Sequence, residues 1–170
     1  MTDRDQLLEQ LNASRDEFLA AIEGVTDRQA AVRPSPGWSV LDCAEHVALT
    51  EDNLHRRLME STATAQEMPR EREARIAARV TDRGKKFQAP EFVRPGERFP
   101  TLSAAVESFC RSREQTIAYI ASCQADLRYL AMEHPLIGTV SGQEMILMLI
   151  GHPVRHAEQI REVRALLPAE

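Results

Sequence analysis

The chain has 170 residues, 43% of them hydrophobic and 28% charged, which is enough for one domain with a substantial core. Its 21 basic and 26 acidic residues give a net charge of −5, which argues against general binding to nucleic acid or to an anionic membrane. No apolar run approaches the roughly 20 residues that cross a bilayer.

The amino-terminal segment MTDRDQLLEQ is charged and amphipathic, unlike a signal peptide. The three cysteines, Cys43, Cys110 and Cys123, form no CxxC pair and predict no disulfide framework. We therefore expect a single domain over residues 1–170 in the reducing cytoplasm.

Helix-forming residues dominate and only 5% of the chain is aromatic, so the sequence predicts an all-α protein. The first helix is predicted over residues 3–23, with Thr2 as its cap and Gly24 after its end. Thr26 and Gln29 then have the spacing of a capping box, which predicts one short helical turn.

The second long helix is predicted to begin at Ser39, because Ser39 and Asp42 have capping-box spacing, and to end between residues 60 and 64. Trp38 is predicted to pack on Cys43 across this cap. The helix has an apolar stripe formed by Val40, Ala44, Val47, Leu54 and Leu58. His46 lies beside the stripe, whereas His55 is expected on the solvent-exposed face.

Residues 70–80 predict a helix with a weak apolar face. Residues 82–100 contain two glycines and three prolines and predict an extended loop. A loop of this length either flanks a functional site or is a surface connector.

Two further long helices complete the prediction. The third covers residues 102–123, and residues 125–132 are expected to add a helical turn or two. Ser141 and Glu144 form a capping box for the last helix, which runs to about residue 167. Four major helices of this length predict a four-helix bundle.

The last helix carries a candidate metal site. His152 and His156 are four residues apart, so they lie on one face of the helix. That face follows an apolar stripe: Met145, Leu149, His152, His156, Ile160 and Val163. Two imidazoles in such a stripe either share a metal with a third ligand, donate to backbone carbonyls, or lie half-exposed at the end of the bundle. Pro153 predicts a kink or bulge between Leu149 and Pro153 that would shift His152 relative to His156.

Three segments together, GWSVLDCAEH, HPLIGTVSGQEMI and GHPVRHAEQI, resemble the DinB-like (YfiT-like) family of metal-binding four-helix bundles. The resemblance implies an up-down-down-up bundle, frequent homodimers, and a divalent metal, zinc or nickel, held by His46, His152 and His156. It also implies that His134, in the loop His-Pro pair, is not a ligand. Characterised relatives include S-transferases that use bacillithiol or mycothiol, and a mycothiol-dependent maleylpyruvate isomerase.

The resulting hypothesis is a metal-dependent enzyme that transfers a low-molecular-weight thiol to a small-molecule substrate in detoxification or stress response. The alternatives are a non-catalytic bundle that binds metal or a ligand, and a vestigial site in a structural dimer. Around the histidines, Asp42 is expected to cap its helix rather than orient His46, and Cys43 to be a buried thiol rather than a fourth ligand. Arg155 is expected at the surface, with anion binding as the alternative, and Gln159 in a packing or dimer contact.

Overall fold

The computed structural model describes residues 3–167 and contains four long helices. They are α1 (Asp3–Ile22), α3 (Val40–Met59), α5 (Leu102–Ser122) and α6 (Gly142–Arg164). Two shorter helices, α2 (Asp27–Ala30) and α4 (Glu71–Thr81), lie between them. The predicted helices other than that at residues 125–132 are confirmed to within a few residues, whereas the predicted cap at Thr2 lies outside the described residues. None of the described helices is long and apolar enough to cross a membrane.

The capping boxes set the starts of three helices. Ser39 Oγ accepts from the Asp42 backbone N–H at 3.0 Å, and Asp42 Oδ2 accepts from the Ser39 N–H at 2.9 Å. Reciprocal bonds of the same kind start α2 and α6. These short-range signals in the sequence therefore act as predicted.

The core shows how the four helices run. One cluster joins the first halves of α3 and α5 to the last halves of α1 and α6, and includes Phe18, Val47, Phe109 and Ile160. A second cluster joins the opposite halves of the same helices, and includes Leu11, Leu58, Ile120 and Met145. The helices α1 and α6 are thus parallel to each other and antiparallel to α3 and α5, which is the expected up-down-down-up bundle.

A small antiparallel sheet is the main departure from the all-α prediction. Its strands β1 (Thr62–Ala63), β2 (Leu130–His134) and β3 (Gly138–Ser141) are ordered β1-β2-β3. The helical turn expected after residue 125 is one 3₁₀ turn at Leu127–Tyr129, which leads directly into β2. Met132 and Val140 pair across the two strands and are buried, so this hairpin closes one end of the bundle core.

The segment between α4 and α5 is an extended loop, as predicted, apart from a 3₁₀ turn at Glu91–Val93. Before the loop, α4 packs closely on α6 at Gly151. A Cβ atom on Gly151 would lie 2.1 Å from Val80 Cγ1, so this contact requires glycine. The loop leaves α4 beside the turn of α6 that carries His152.

Candidate metal centre

Two helices bring three histidines to one point. His46 lies on α3, and His152 and His156 lie on α6. Their ring centroids are 4.9 Å apart for His46 and His152, 4.8 Å for His46 and His156, and 4.5 Å for His152 and His156. One nitrogen from each ring lies within 4.8 Å of the corresponding nitrogens of the other two. The sequence placed two of these histidines on one face, and the bundle brings the third to them.

The Nδ1 atoms of His46 and His156 make hydrogen bonds to other residues of the protein. His46 Nδ1 donates to the Val93 carbonyl oxygen at 2.7 Å. His156 Nδ1 donates to Gln159 Oε1 at 2.9 Å. Arg83 Nη1 lies 3.5 Å from the same Gln159 atom, and because a guanidinium only donates, that atom is the amide oxygen. These bonds place the proton on Nδ1 and leave Nε2 of both rings with a free lone pair.

The facing nitrogens have the spacing of metal ligands. His46 Nε2 and His152 Nε2 are 3.1 Å apart. Two nitrogens bound tetrahedrally at about 2.0–2.1 Å from one zinc ion would be about 3.4 Å apart. With its proton on Nδ1, His46 presents a lone pair to His152, so an ion between the rings would satisfy both. The donor set therefore fits a divalent metal.

Burial keeps the three imidazoles neutral. His46 and His156 are each only 6% exposed, and His152 is partly buried. Desolvation lowers the pKa of His46, and it lowers the pKa values of His152 and His156 well below the usual range. The neighbouring histidines lower the pKa of these last two further. Because neutral imidazole is the metal-binding form, the site is ready for a metal at neutral pH.

Trp38 covers one side of the site. Its ring centroid lies 5.0 Å from that of His46 and 6.2 Å from that of His156, and it stacks on His156 at an interplanar angle of 18°. The indole packs at the edge of the core cluster that also contains Cys43. The sequence predicted Trp38 as a helix staple and missed its place against the imidazoles.

The long loop at residues 82–100 is held by hydrogen bonds to α3 and α6, the two helices that carry the histidines. The buried carboxylate of Glu45 accepts from the backbone N–H groups of Gly96 and Arg98, at 2.8 Å and 3.3 Å. Arg155 donates to the carbonyls of Asp82 and Lys85, and its guanidinium lies 5.7 Å from the ring of Phe87. Arg155 is thus engaged with the loop. The loop in turn supplies the Val93 carbonyl that orients His46, so it forms part of the site.

Several other candidate residues have structural roles. Asp42 binds Arg33 through two hydrogen bonds besides capping α3, so it does not orient His46. Cys43 is fully buried, and burial raises the pKa of its thiol. His134 lies in the hairpin, where its Nδ1 accepts from the Leu136 N–H at 3.2 Å.

One prediction about a side chain was wrong, and one contact was missed. His55 is not solvent-exposed: it is 9% exposed, and its Nδ1 lies 3.0 Å from Thr116 Oγ1 on α5. Gln159 is bonded to His156, a contact that the sequence did not predict, and the packing or dimer contact expected of it stays a prediction. Its position three residues after His156 was the available signal, because i and i+3 side chains meet on a helix.

The kink or bulge predicted for residues 149–153 falls inside α6, which runs without a gap from Gly142 to Arg164. The Leu149 carbonyl, which would bind the missing Pro153 N–H, accepts from Arg113 Nη2 at 2.6 Å instead. His152 faces His46, with 3.1 Å between their Nε2 atoms, although the proline follows it directly.

Comparisons with known proteins agree with this fold. A sequence profile of the DinB superfamily matches residues 10–160. The uncharacterised protein YuaE of Bacillus subtilis (strain 168) is 25% identical over 154 residues, which cover 90% of this chain and 94% of YuaE.

Two solved structures are similar across most of their length. TT2238, a four-helix bundle protein, superposes with a TM-score of 0.58 at 23% identity, over 92% of this chain and 96% of TT2238. YfiT from Bacillus subtilis superposes with a TM-score of 0.62 at 14% identity, over 98% of this chain and 89% of YfiT. YfiT is described as a probable metal-dependent hydrolase with an unusual four-helix bundle topology. At these identities the likeness concerns the fold.

Proposed function

Since the chain belongs to the DinB superfamily, we propose that it is a divalent-metal-dependent enzyme whose metal is held by His46, His152 and His156. The observation that carries the proposal is the convergence of three neutral imidazoles, two of them oriented through Nδ1. Imidazole ligands suit zinc and nickel.

Three protein ligands would leave a coordination position open for water or substrate, as in catalytic rather than structural sites. When bound there, the metal would lower the pKa of a bound water or thiol and so supply a nucleophile at neutral pH. The protein would contribute the rigid ligand geometry through the Val93 carbonyl and Gln159. Trp38 would limit the access of water from its side.

The nucleophile would come from outside the protein. Among the described residues, the group able to hold a metal contains only the three histidines, with no carboxylate or cysteine. Cys43 is the nearest cysteine in sequence to a ligand, and burial disfavours its thiolate. We therefore propose that a low-molecular-weight thiol binds the open position and is transferred to a small electrophilic substrate. This proposal rests on the chemistry of the donor set and on the resemblance to thiol-dependent relatives.

Hydrolysis is the second candidate, because the structurally similar YfiT is described as a probable metal-dependent hydrolase. The same arrangement would then activate water. A non-catalytic metal-binding bundle is the remaining alternative. That the chain forms homodimers stays a prediction.

Elemental analysis of the purified protein tests the metal site. We expect about one divalent ion per chain in the wild type, and loss of that ion in His46→Ala and His156→Ala. His134→Ala is the matched control, because this histidine lies in the hairpin, and it should retain the ion. An equal metal content in all four proteins would contradict the proposed ligands.

Activity assays then separate the candidates. A panel of low-molecular-weight thiols is incubated with the electrophile 1-chloro-2,4-dinitrobenzene, and p-nitrophenyl esters are incubated without thiol. Thiol transfer predicts metal-dependent thiol consumption that is absent in His156→Ala. Metal-dependent ester cleavage alone would favour the hydrolase. Metal binding without either activity would favour the non-catalytic bundle.

A further inference from the structure

The most buried charged group in the bundle is Arg113 on α5, which is 0% exposed. Its Nε and Nη2 bind the two carboxylate oxygens of Glu51 at 2.6 Å and 3.0 Å. Nη1 donates to the Leu11 carbonyl at 2.7 Å and to Ser14 Oγ at 2.8 Å. Nη2 also donates to the Leu149 carbonyl at 2.6 Å. All five N–H groups of this guanidinium therefore have partners on three other helices.

Pro153 explains why the Leu149 carbonyl is available. In a regular helix this oxygen would accept from the N–H of the residue four positions later, but proline has no N–H. In an ideal helix the pyrrolidine ring would also clash with that carbonyl. The Arg113 guanidinium binds the oxygen that the proline leaves without its helical partner.

The same guanidinium links the two helices that carry the histidines. Glu51 lies on α3, five residues after His46, and Leu149 lies on α6, three residues before His152. Charge-assisted hydrogen bonds from Arg113 to Glu51 and to the Leu149 carbonyl thus connect α3 to α6. Both acceptors lie within about two helical turns of the candidate ligands. A buried ion pair is often no more stabilising than well-packed apolar side chains, so stability alone does not account for it.

We propose that Arg113 is a positioning residue for the metal centre: by binding Glu51 and the Leu149 carbonyl, it sets the distance between His46 and His152. The inference rests on the proposed function, in which these histidines share a metal. It assigns Pro153 a role as well, because the proline leaves the carbonyl free for this cross-link.

The test replaces the ion pair without leaving a buried charge. Glu51→Met/Arg113→Met keeps a similar side-chain volume, and such replacements usually preserve folding. It removes the bond to the Leu149 carbonyl, so the dissociation constant for Zn²⁺ should rise by about 10–100-fold, as when other groups that orient ligands are lost. The Zn²⁺ dissociation constant is measured by competition with a chromophoric chelator. The visible absorption of the Co²⁺-substituted protein should also change, because it reports ligand geometry.

Pro153→Ala separates the cross-link from the simple satisfaction of the carbonyl. Added to the double variant, it supplies the N–H that the Leu149 carbonyl lacks but no bond between α6 and α3, so the Zn²⁺ affinity should stay low. Recovery of the affinity would show that the lost bond matters only within α6 and would overturn the proposal.

The matched control is another bidentate ion pair, in which Arg128 Nε and Nη2 bind the two carboxylate oxygens of Glu73 at 2.7 Å and 3.0 Å. Arg128 follows α5 and Glu73 lies on α4, so Glu73→Met/Arg128→Met removes a similar pair that does not join α3 to α6. It should leave the Zn²⁺ dissociation constant unchanged. An unchanged constant in Glu51→Met/Arg113→Met, or an equal rise in the control, would overturn the proposal.

A readout without metal separates this inference from the proposed function. In crystals of the metal-free wild type the His46 and His152 Nε2 atoms should be about as close as the 3.1 Å seen here. In Glu51→Met/Arg113→Met they should be clearly farther apart, and adding Pro153→Ala should leave them so. Wild-type protein that binds no Zn²⁺ would refute the proposed function, whereas an unchanged separation in the variant would refute the role of Arg113.

Discussion

At the scale of single residues, the candidate centre depends on which nitrogen of each imidazole is engaged. The Val93 carbonyl and the Gln159 amide oxygen each accept a hydrogen bond from an Nδ1–H group and leave Nε2 facing inward. The Val93 carbonyl belongs to the backbone, so no side-chain substitution removes it. Gln159 can be tested by direct substitution.

We expect Gln159→Ala to weaken Zn²⁺ binding by about 10–100-fold, because His156 loses the acceptor that fixes its ring and its proton. Gln159→Glu keeps an acceptor and should bind Zn²⁺ at least as well as the wild type. The measurement is a chelator-competition titration.

The neighbouring residue gives the control for this prediction. Glu158 is exposed and pairs with Arg161 in the adjacent turn. Glu158→Ala should leave the affinity unchanged, and equal losses in Gln159→Ala and Glu158→Ala would show that His156 needs no orienting acceptor.

At the scale of elements, the contact between α4 and α6 fixes where the long loop begins. Gly151 has no Cβ where Val80 Cγ1 approaches the helix, and the next residue in α6 is His152. The length and position of the loop were predictable from its prolines and glycines. Its contact with His46 through Val93 was not predictable, because no local pattern indicates which carbonyl will face a side chain 47 residues away.

Gly151→Ala tests this contact. The added methyl group overlaps Val80, and overpacking of this kind costs about 1–3 kcal/mol. We expect that loss in the free energy of unfolding, measured by urea denaturation, together with faster amide hydrogen exchange in residues 82–100.

Val80→Ala removes the overlapping methyl group. The double variant Val80→Ala/Gly151→Ala should therefore be more stable than the sum of the two single changes predicts. If the two changes in the free energy of unfolding simply added, the Gly151 methyl group and Val80 would not be in conflict.

At the scale of the whole molecule, all five histidines have pKa values lowered in the folded state, with burial as the largest cause. For His134 the pKa falls to about 4. The unfolded chain, with ordinary histidine pKa values near 6.5, binds more protons below that pH than the folded chain does. These histidines therefore contribute stability that is complete above about pH 7.5, one unit over the unfolded pKa, and is lost as the pH falls toward the folded-state values.

The metal-free protein should accordingly lose stability between about pH 7.5 and pH 5.5, with each histidine contributing up to about 1.4 kcal/mol per pH unit below its unfolded pKa. Urea denaturation in the presence of a chelator measures this slope. His55→Gln removes one such group outside the metal centre. One fewer proton is then bound on unfolding, so the dependence of the unfolding free energy on pH should become less steep by up to about 1.4 kcal/mol per pH unit. A free energy of unfolding that does not change over this range would contradict the burial of the histidines.

The sequence by itself determined the helices, their capped starts, the loop at residues 82–100 and the shared face of His152 and His156. These features depend on residues a few positions apart, whose geometry the helix fixes. Through its resemblance to a known family, the sequence also indicated the bundle topology and the third histidine. The sheet escaped sequence analysis because β2 is five residues long and pairs with partners that its own pattern does not specify.

Only the tertiary structure decided how the site is held together. It brought His46 to within 3.1 Å of His152, set the Val93 carbonyl against His46, and gave the Leu149 carbonyl to Arg113. Pro153 alone predicted a distorted helix, because the sequence shows the missing N–H but not the donor that replaces it. The physical reason is that a hydrogen bond between distant segments depends on the packing of the whole bundle, whereas a cap or a helical stripe depends only on its neighbours in the chain.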